Sequence, residues 1–262
     1  MKVRPRTIGK WILRVFAFLL LIEVLHIGTV AYPFPFFSHK GSFGEFTVYS
    51  RSPLPGGFEQ IIEGVRLRVA AMENARPGHR IRIYLCDTQR FYSFFAFLIR
   101  KEPDSLGIGL SVFSNMYLNE AKIRRVAAGN AAGIRHSRFE GNYAGVIAHE
   151  IAHFNVVEEL GYRAAMRMPF WKGEGYAEHQ ANIAAIRSDP EYNLLDRIAL
   201  LENHRFWAGN RLARDLFESH LLVEYLMERE GYGLRDLIDE SVTLDATRAR
   251  MLAWYRSQRP AA

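Results

Sequence analysis

The chain has 262 residues, of which 49% are hydrophobic and 13% aromatic, so it can bury a substantial core and is not an intrinsically disordered protein. Its net charge of +6 comes mostly from residues 1–31, because the remaining chain carries 29 basic and 27 acidic side chains. We therefore expect no nucleic-acid partner, since no later block of Lys and Arg is interleaved with aromatic residues.

The first predicted element is a membrane helix. An apolar run from Trp11 to Tyr32 has the ~20 residues needed to cross a bilayer, and residues 1–10 before it are basic. Because basic flanks stay in the cytoplasm, we expect a cytoplasmic tail over 1–10, a single-pass anchor over 11–32, and the rest on the non-cytoplasmic side. A cleaved signal is the alternative: Val15–Ile22 would be its apolar core, Thr29–Ala31 offer small residues for the cut, and the protein would be secreted.

Early strands and late helices predict an α+β fold. Residues 33–42 read as a linker because prolines interrupt an aromatic run, and a folded domain is expected over 43–262. The periodicity predicts strands at Phe46–Tyr49 and Arg80–Cys86, helices at Phe58–Met72 and Phe91–Arg100, and an extended segment at Gly107–Leu118. From Asn142 the pattern is helical almost to the end. We therefore expect a small N-terminal sheet packed on a mainly helical half.

An H-E-x-x-H motif at 149–153 lies in a predicted helix from Asn142 to Gly161. Side chains at i and i+4 lie one above the other on a helix, so His149 and His153 can bind one metal ion, with Glu150 beside its open position. The residues before the motif are small and apolar, as in a buried helix. Three ionisable groups in that setting are costly unless a metal satisfies them, which indicates a Zn²⁺ site.

A third ligand is predicted in the segment Trp171 to Glu178. Glu174 lies there at the start of another helix, and two histidines with one glutamate leave a tetrahedral position for water. Zinc lowers the pKa of bound water to roughly 7, and Glu150 is placed to accept its proton as general base. Glu178 follows Glu174 by four residues. We expect it to accept the distal N–H of His149 or His153 and so to orient that ring.

Both motifs resemble those of the gluzincins, zinc metallopeptidases related to thermolysin and aminopeptidase N. The resemblance covers about residues 105–230 and depends on H-E-I-A-H at 149–153 and on W-K-G-E-G-Y-A-E at 171–178, which is similar to the family's W-x-x-E-G-x-A segment. It implies a zincin-like domain in which His149, His153 and Glu174 bind zinc, Glu150 is the general base, and Glu178 holds a ligand imidazole. It also implies that Gly107–Leu118 is the sheet edge along which a peptide lies. The chain does not match the metzincin motif H-E-x-x-H-x-x-G-x-x-H, because Val156 and Glu159 stand where that motif has glycine and histidine.

Gluzincins also use a Tyr or His from a later helix to stabilise the oxyanion. His220 is the residue that we single out for this role, on the predicted helix Leu212–Arg229. Three other residues remain candidates for this role: Tyr225 on the same helix, and Tyr192 and His204 before it. A lone histidine is more often a surface or core residue than a catalytic one.

The resemblance implies a membrane-anchored zinc-dependent peptidase that hydrolyses amide bonds of a peptide or protein with metal-bound water activated by Glu150. The same site could act on another amide or an ester. The alternative is a membrane-tethered, non-catalytic binding or scaffold protein with a zincin-like fold. An intact Glu150 favours the enzyme, because a scaffold has no need of the base.

Overall fold

The computed structural model describes residues 5–76, 78–130, 143–189, 192–203, 207 and 211–258. Within them, the five strands are β1 His39–Phe43, β2 Phe46–Ser50, β3 Ile81–Cys86, β4 Gly107–Leu110 and β5 Asn115–Asn119. The helices are α1 Pro5–Ala31, α2 Phe58–Ala70, α3 Gln89–Ile99, α4 Glu120–Asn130, α5 Tyr143–Leu160, α6 Tyr162–Arg167, α7 Phe170–Ser188, α8 Leu194–Glu202, α9 Arg211–Glu230, α10 Leu234–Leu237 and α11 Leu244–Gln258. The predicted α+β class, with a small sheet and a mainly helical second half, is confirmed.

The strands form one mixed sheet in the order β1-β2-β3-β5-β4. The three inner strands are parallel, and each edge strand pairs antiparallel with its neighbour. Strands β3 and β5 are buried on both faces, which explains their nearly continuous apolar sequence. One face packs against α3 through Tyr84, Phe95 and Tyr117, and the other packs against α2 and α5. The sheet therefore separates α3 from the helix that carries the H-E-x-x-H motif.

Three segments differ from the sequence prediction. Strand β1 lies in the predicted linker 33–42, where its exposed, polar side chains gave no alternating pattern. Helix α1 spans Pro5–Ala31, so residues 5–10 of the predicted tail share one helix with the apolar segment. The predicted extended segment Gly107–Leu118 is a hairpin, because a 3₁₀ turn at Ser111–Phe113 and a left-handed Ser114 (φ 50°) reverse the chain between β4 and β5. Of the two strands in this hairpin, only β4 therefore lies at an edge of the sheet.

The second half is built around the crossing of α7 with α5 and α9. The apolar stripe of α9 predicted from the sequence lies in the core that α7, α8, α9 and α11 share: Leu221, Leu222, Tyr225 and Leu226. Helices α7 and α9 approach closely at Gly175, where an added Cβ would lie 2.2 Å from the carbonyl oxygen of Ser219. Glycine at 175 therefore sets the distance between the two helices.

We expect Gly175→Ala to lower the free energy of unfolding by at least the ~1–3 kcal/mol typical of an overpacked core. The matched control is Gly173→Ala, two residues away on α7, where the nearest atom to the new Cβ is Met168 Sδ at 3.7 Å. That change should be neutral or should stabilise by up to ~1 kcal/mol through helix propensity. Urea denaturation of both variants measures the difference. Equal midpoints would contradict the close packing of α7 on α9.

Candidate metal centre

The predicted ligands come together where α5 crosses α7. His149 and His153 are one turn apart on α5, and their Nε2 atoms are 3.2 Å from each other. Glu174, in the second turn of α7, places Oε2 3.3 Å from His149 Nε2 and Oε1 3.5 Å from His153 Nε2. All three side chains are partly buried, so each keeps some contact with solvent.

These separations fit a single zinc ion. Ligand atoms held 2.0–2.2 Å from one ion at tetrahedral angles lie ~3.3–3.6 Å apart. The separations of 3.2, 3.3 and 3.5 Å are close to that range, with one carboxylate oxygen of Glu174 facing each imidazole. Two imidazole nitrogens and a carboxylate oxygen also make a donor set that zinc prefers. The residues present therefore fit the ion that the sequence implies.

Glu178 contacts one of the candidate ligands, as the i+4 spacing predicts. Its Oε2 accepts a hydrogen bond from His149 Nδ1 at 3.2 Å, which leaves the lone pair of Nε2 for a metal. Asn182, one turn further along α7, donates to Glu178 Oε1 at 2.7 Å. Arg68 of α2 in turn donates to the side chain of Asn182 at 3.3 Å and to the carbonyl oxygen of Ala181 at 2.7 Å. Three helices thus hold the plane of the His149 ring.

We expect Glu178→Ala to weaken zinc binding by ~10–100-fold, because it removes the partner that orients His149 but no bond to the ion. Glu174→Ala should weaken it further, since a ligand is lost. Competition against a fluorescent chelator measures both affinities. The reverse ranking of the two variants would mean that the third ligand has been misassigned.

Glu150 lies against the edge strand. The residue is 8% exposed, and its carboxylate packs where Gly107 and Gly109 lack side chains: a Cβ at Gly107 would be 2.9 Å from Oε1, and one at Gly109 would be 2.9 Å from Oε2. Burial raises the pKa of Glu150 to about 7, although the charge of His149 and a backbone hydrogen bond from Gly109 oppose this. A carboxyl group with that pKa can both accept and return a proton near neutral pH.

The ligand side chains differ in how readily they would accept a metal. Burial lowers the pKa of His153 to about 4, so this ring is neutral at pH 7. For Glu174, burial raises the pKa, but the hydrogen bond from His149 and the two nearby imidazoles outweigh it and lower the pKa to about 2. For His149, burial lowers the pKa, but Glu174 and Glu178 outweigh it and raise it above the usual value. A metal therefore competes with a proton mainly at His149.

His220 is buried at 3% exposure and belongs to a second group, with His179 and Glu224. Its Nδ1 accepts from Arg197 Nη2 at 3.1 Å, and its Nε2 is 3.5 Å from Glu224 Oε2. Arg197 and Tyr192 both bind the Glu224 carboxylate, so a guanidinium already neutralises the acid that a cation would need. The first group is therefore better suited than the second to hold a cation.

The other predicted oxyanion candidates have different positions. Tyr192 bonds to Glu224 through its hydroxyl group, and Tyr225 lies in the core of α9 against Trp254. His204 is outside the part of the chain that the structure describes.

Sequence reasoning missed four residues around the centre. Gly107 and Gly109 were taken only as the start of an extended segment, although they make the room for Glu150. Asn182 could have been found, because it repeats the i, i+4 spacing of Glu174 and Glu178. Arg68 gave no such signal, since α2 is more than a hundred positions from Asn182 in the chain.

No protein-family model and no curated protein matches this chain. The assignment of a metal centre therefore depends on the donor atoms of His149, His153 and Glu174 and on the contacts that hold them.

Proposed function

We propose that this protein is a membrane-anchored zinc peptidase of the gluzincin type with a zincin-like catalytic domain. The observation that carries the proposal is the convergence of His149, His153 and Glu174 at separations of 3.2–3.5 Å. Glu150, adjacent to a ligand in sequence yet directed at the sheet edge, adds a base that a purely structural metal site would not need.

Zinc bound by these residues would lower the pKa of a coordinated water to roughly 7 and polarise a substrate carbonyl. Glu150 would accept the proton of the attacking water and pass it to the leaving amine, for which its pKa of about 7 is suited. Glu178 would keep the His149 ring in the tautomer that directs Nε2 at the ion.

Strand β4 supports a peptide as the substrate. It lies at the end of the sheet and pairs through Gly107–Leu110 with β5 on one side. An extended peptide could add to its other side by main-chain hydrogen bonds, as in β-augmentation. Glu150 packs against Gly107 and Gly109 of the same strand, so a peptide bound there would pass close to the proposed base.

An unbiased peptide library tests the proposed activity. The purified full chain loaded with zinc should cleave members of the library, and cleavage should stop after chelation and return when zinc is restored. A folded, zinc-loaded protein that cleaves no member of a broad peptide and ester panel would contradict the proposal and favour a scaffold.

His220 stays our proposed oxyanion residue. Since Arg197 donates to Nδ1, Nε2 carries the proton; it lies 3.5 Å from Glu224 Oε2 and makes no hydrogen bond in the structure. Glutamine at position 220 keeps an N–H hydrogen-bond donor, whereas phenylalanine removes it. If His220 acts on the oxyanion, His220→Phe should lower kcat at unchanged zinc content, while His220→Gln should retain part of it.

Helix α1 supports a membrane location with the domain on the non-cytoplasmic side. Within the described residues, Arg14–Ala31 is long and apolar enough to span a bilayer, with a mean hydropathy of 1.9, and is 11% buried. Its last residues are part of the domain: the buried Asn115 side chain donates to the carbonyl oxygens of Val30 and Ala31, both at 3.0 Å, and Tyr117 donates to that of Val30 at 2.6 Å. Cleavage near Ala31 would remove these partners, so we favour a retained anchor over a signal peptide.

We therefore expect the protein isolated from membranes to keep α1, and its N-terminal sequence to start before Trp11. A reporter enzyme fused after residue 262 should be active only on the non-cytoplasmic side, because the basic flank stays inside. A mature N-terminus near Tyr32 would mean that the segment is a signal peptide. A reporter active in the cytoplasm would reverse the topology.

A further inference from the structure

Four phenylalanines form an exposed aromatic patch beside the end of α1. Phe94 and Phe97 lie on the outer face of α3 and are 44% and 78% exposed, whereas Phe95 on the inner face is fully buried. Phe34 and Phe36, in the connection from α1 to β1, are 51% and 45% exposed. The rings of Phe36 and Phe94 are in contact, with centroids 6.3 Å apart. We call Phe34, Phe36, Phe94 and Phe97 the aromatic patch.

The aromatic patch is continuous with the apolar surface of α1. Helix α1 packs against α3, and His26 Nε2 donates to the carbonyl oxygen of Leu98, next to Phe97, at 2.7 Å. His26 lies in the last two turns of α1, so the aromatic patch is level with the domain end of the apolar segment. On the N-terminal side of His26, the apolar side chains of α1 between Val15 and Leu25 form a broad exposed surface.

The residues at this level are those of a membrane interface. Interfacial helices bury Phe and Leu side chains at the boundary between head groups and acyl chains, and basic side chains beside them reach the head groups. Arg90 lies one turn before Phe94 on the exposed face of α3, and the exposed Arg100 follows the last turn of the helix. Basic residues at both ends of an apolar face are typical of a helix that lies in the interface plane.

We propose that the aromatic patch binds the head-group layer of the bilayer that holds α1, so that α3 lies on the membrane surface. The inference rests on the proposed anchoring of α1 and does not depend on peptidase activity. Contacts at two places, along α1 and across α3, fix the domain in one orientation instead of leaving it to turn about a single helix.

Single-cysteine spin labels in the full chain test this. The native Cys86 is buried and burial raises the pKa of its thiol, so labelling is directed to an introduced cysteine. Phe97→Cys reports on the aromatic patch and Leu20→Cys on α1, and the matched control is Leu67→Cys, a 66% exposed apolar residue on α2 across the sheet. Each protein is reconstituted into phosphatidylcholine and phosphatidylglycerol vesicles. Collision of the label with oxygen, which dissolves in lipid, is compared with collision with a water-soluble nickel chelate.

We expect oxygen collisions to exceed nickel collisions at positions 20 and 97, and the order to reverse at position 67. If the label at position 97 collides with nickel as often as the label at position 67, while the label at position 20 is in lipid, the inference is overturned and the anchor remains supported. A position 97 protected from both reagents would overturn it in favour of a second copy of the chain covering the aromatic patch. A position 20 exposed to nickel would refute the anchoring itself, and the proposed location of the aromatic patch with it.

Discussion

Replacing Glu150 by glutamine should reduce peptide hydrolysis by roughly 10²–10⁴-fold, the loss typical of a missing general base, while zinc content stays near that of the wild type. The carboxylate packs against Gly107 and Gly109 and is not one of the groups that would bind the ion, which are His149, His153 and Glu174. Glutamine has nearly the same shape, so it fits this space but cannot accept a proton. Zinc analysis, thermal unfolding and initial rates on one substrate identified from the library measure the effect.

Glu158→Gln is the matched control, because Glu158 is on the same helix and pairs at the surface with Arg76 and His79. This change removes one negative charge from α5. It should lower the free energy of unfolding by about 0–1 kcal/mol and leave the rate of peptide hydrolysis unchanged. An active, zinc-loaded Glu150→Gln protein would refute the role of base.

The second large effect is expected from His153→Ala, which should weaken zinc binding by more than the ~10–100-fold expected for Glu178→Ala. His153 supplies one of the three donor atoms, and no other described His, Cys, Asp or Glu completes the group. Its side chain is 31% exposed, so truncation leaves little cavity and the protein should remain folded. Equilibrium dialysis with metal analysis measures the affinity, and His39→Ala, at an exposed position on β1, is the control.

The same experiment separates the two candidate groups. If zinc instead bound to His179, His220 and Glu224, His153→Ala would retain the ion and His220→Ala would lose it. That outcome would contradict the assignment made from the Arg197 contact with Glu224.

The parts of the centre that the sequence predicted are those governed by local periodicity. The i, i+4 spacing puts His149 and His153 on one face of α5, and the same spacing puts Glu174 and Glu178 on one face of α7. Which histidine Glu178 would reach was open in the sequence, because that depends on how α5 and α7 cross. In the structure it is His149.

Features that depend on long-range contacts could not be predicted. Strand β1 exists because β2 offers it a backbone partner, and its side chains carry no pattern of their own. The burial of His220 follows from the packing of α9 on α7 and α8, and the position of α1 follows from hydrogen bonds to Asn115 and Tyr117, more than eighty residues later. Neither arrangement has a local signal in the chain.

X-ray absorption at the zinc edge, on the full chain purified without chelators, tests the central claim most directly. We predict close to one zinc per chain and a first coordination sphere of nitrogen and oxygen at ~2.0–2.2 Å, with the outer scattering of two imidazole rings. Sulfur at ~2.3 Å, a single imidazole, or a folded protein that binds no zinc would contradict a site formed by His149, His153 and Glu174.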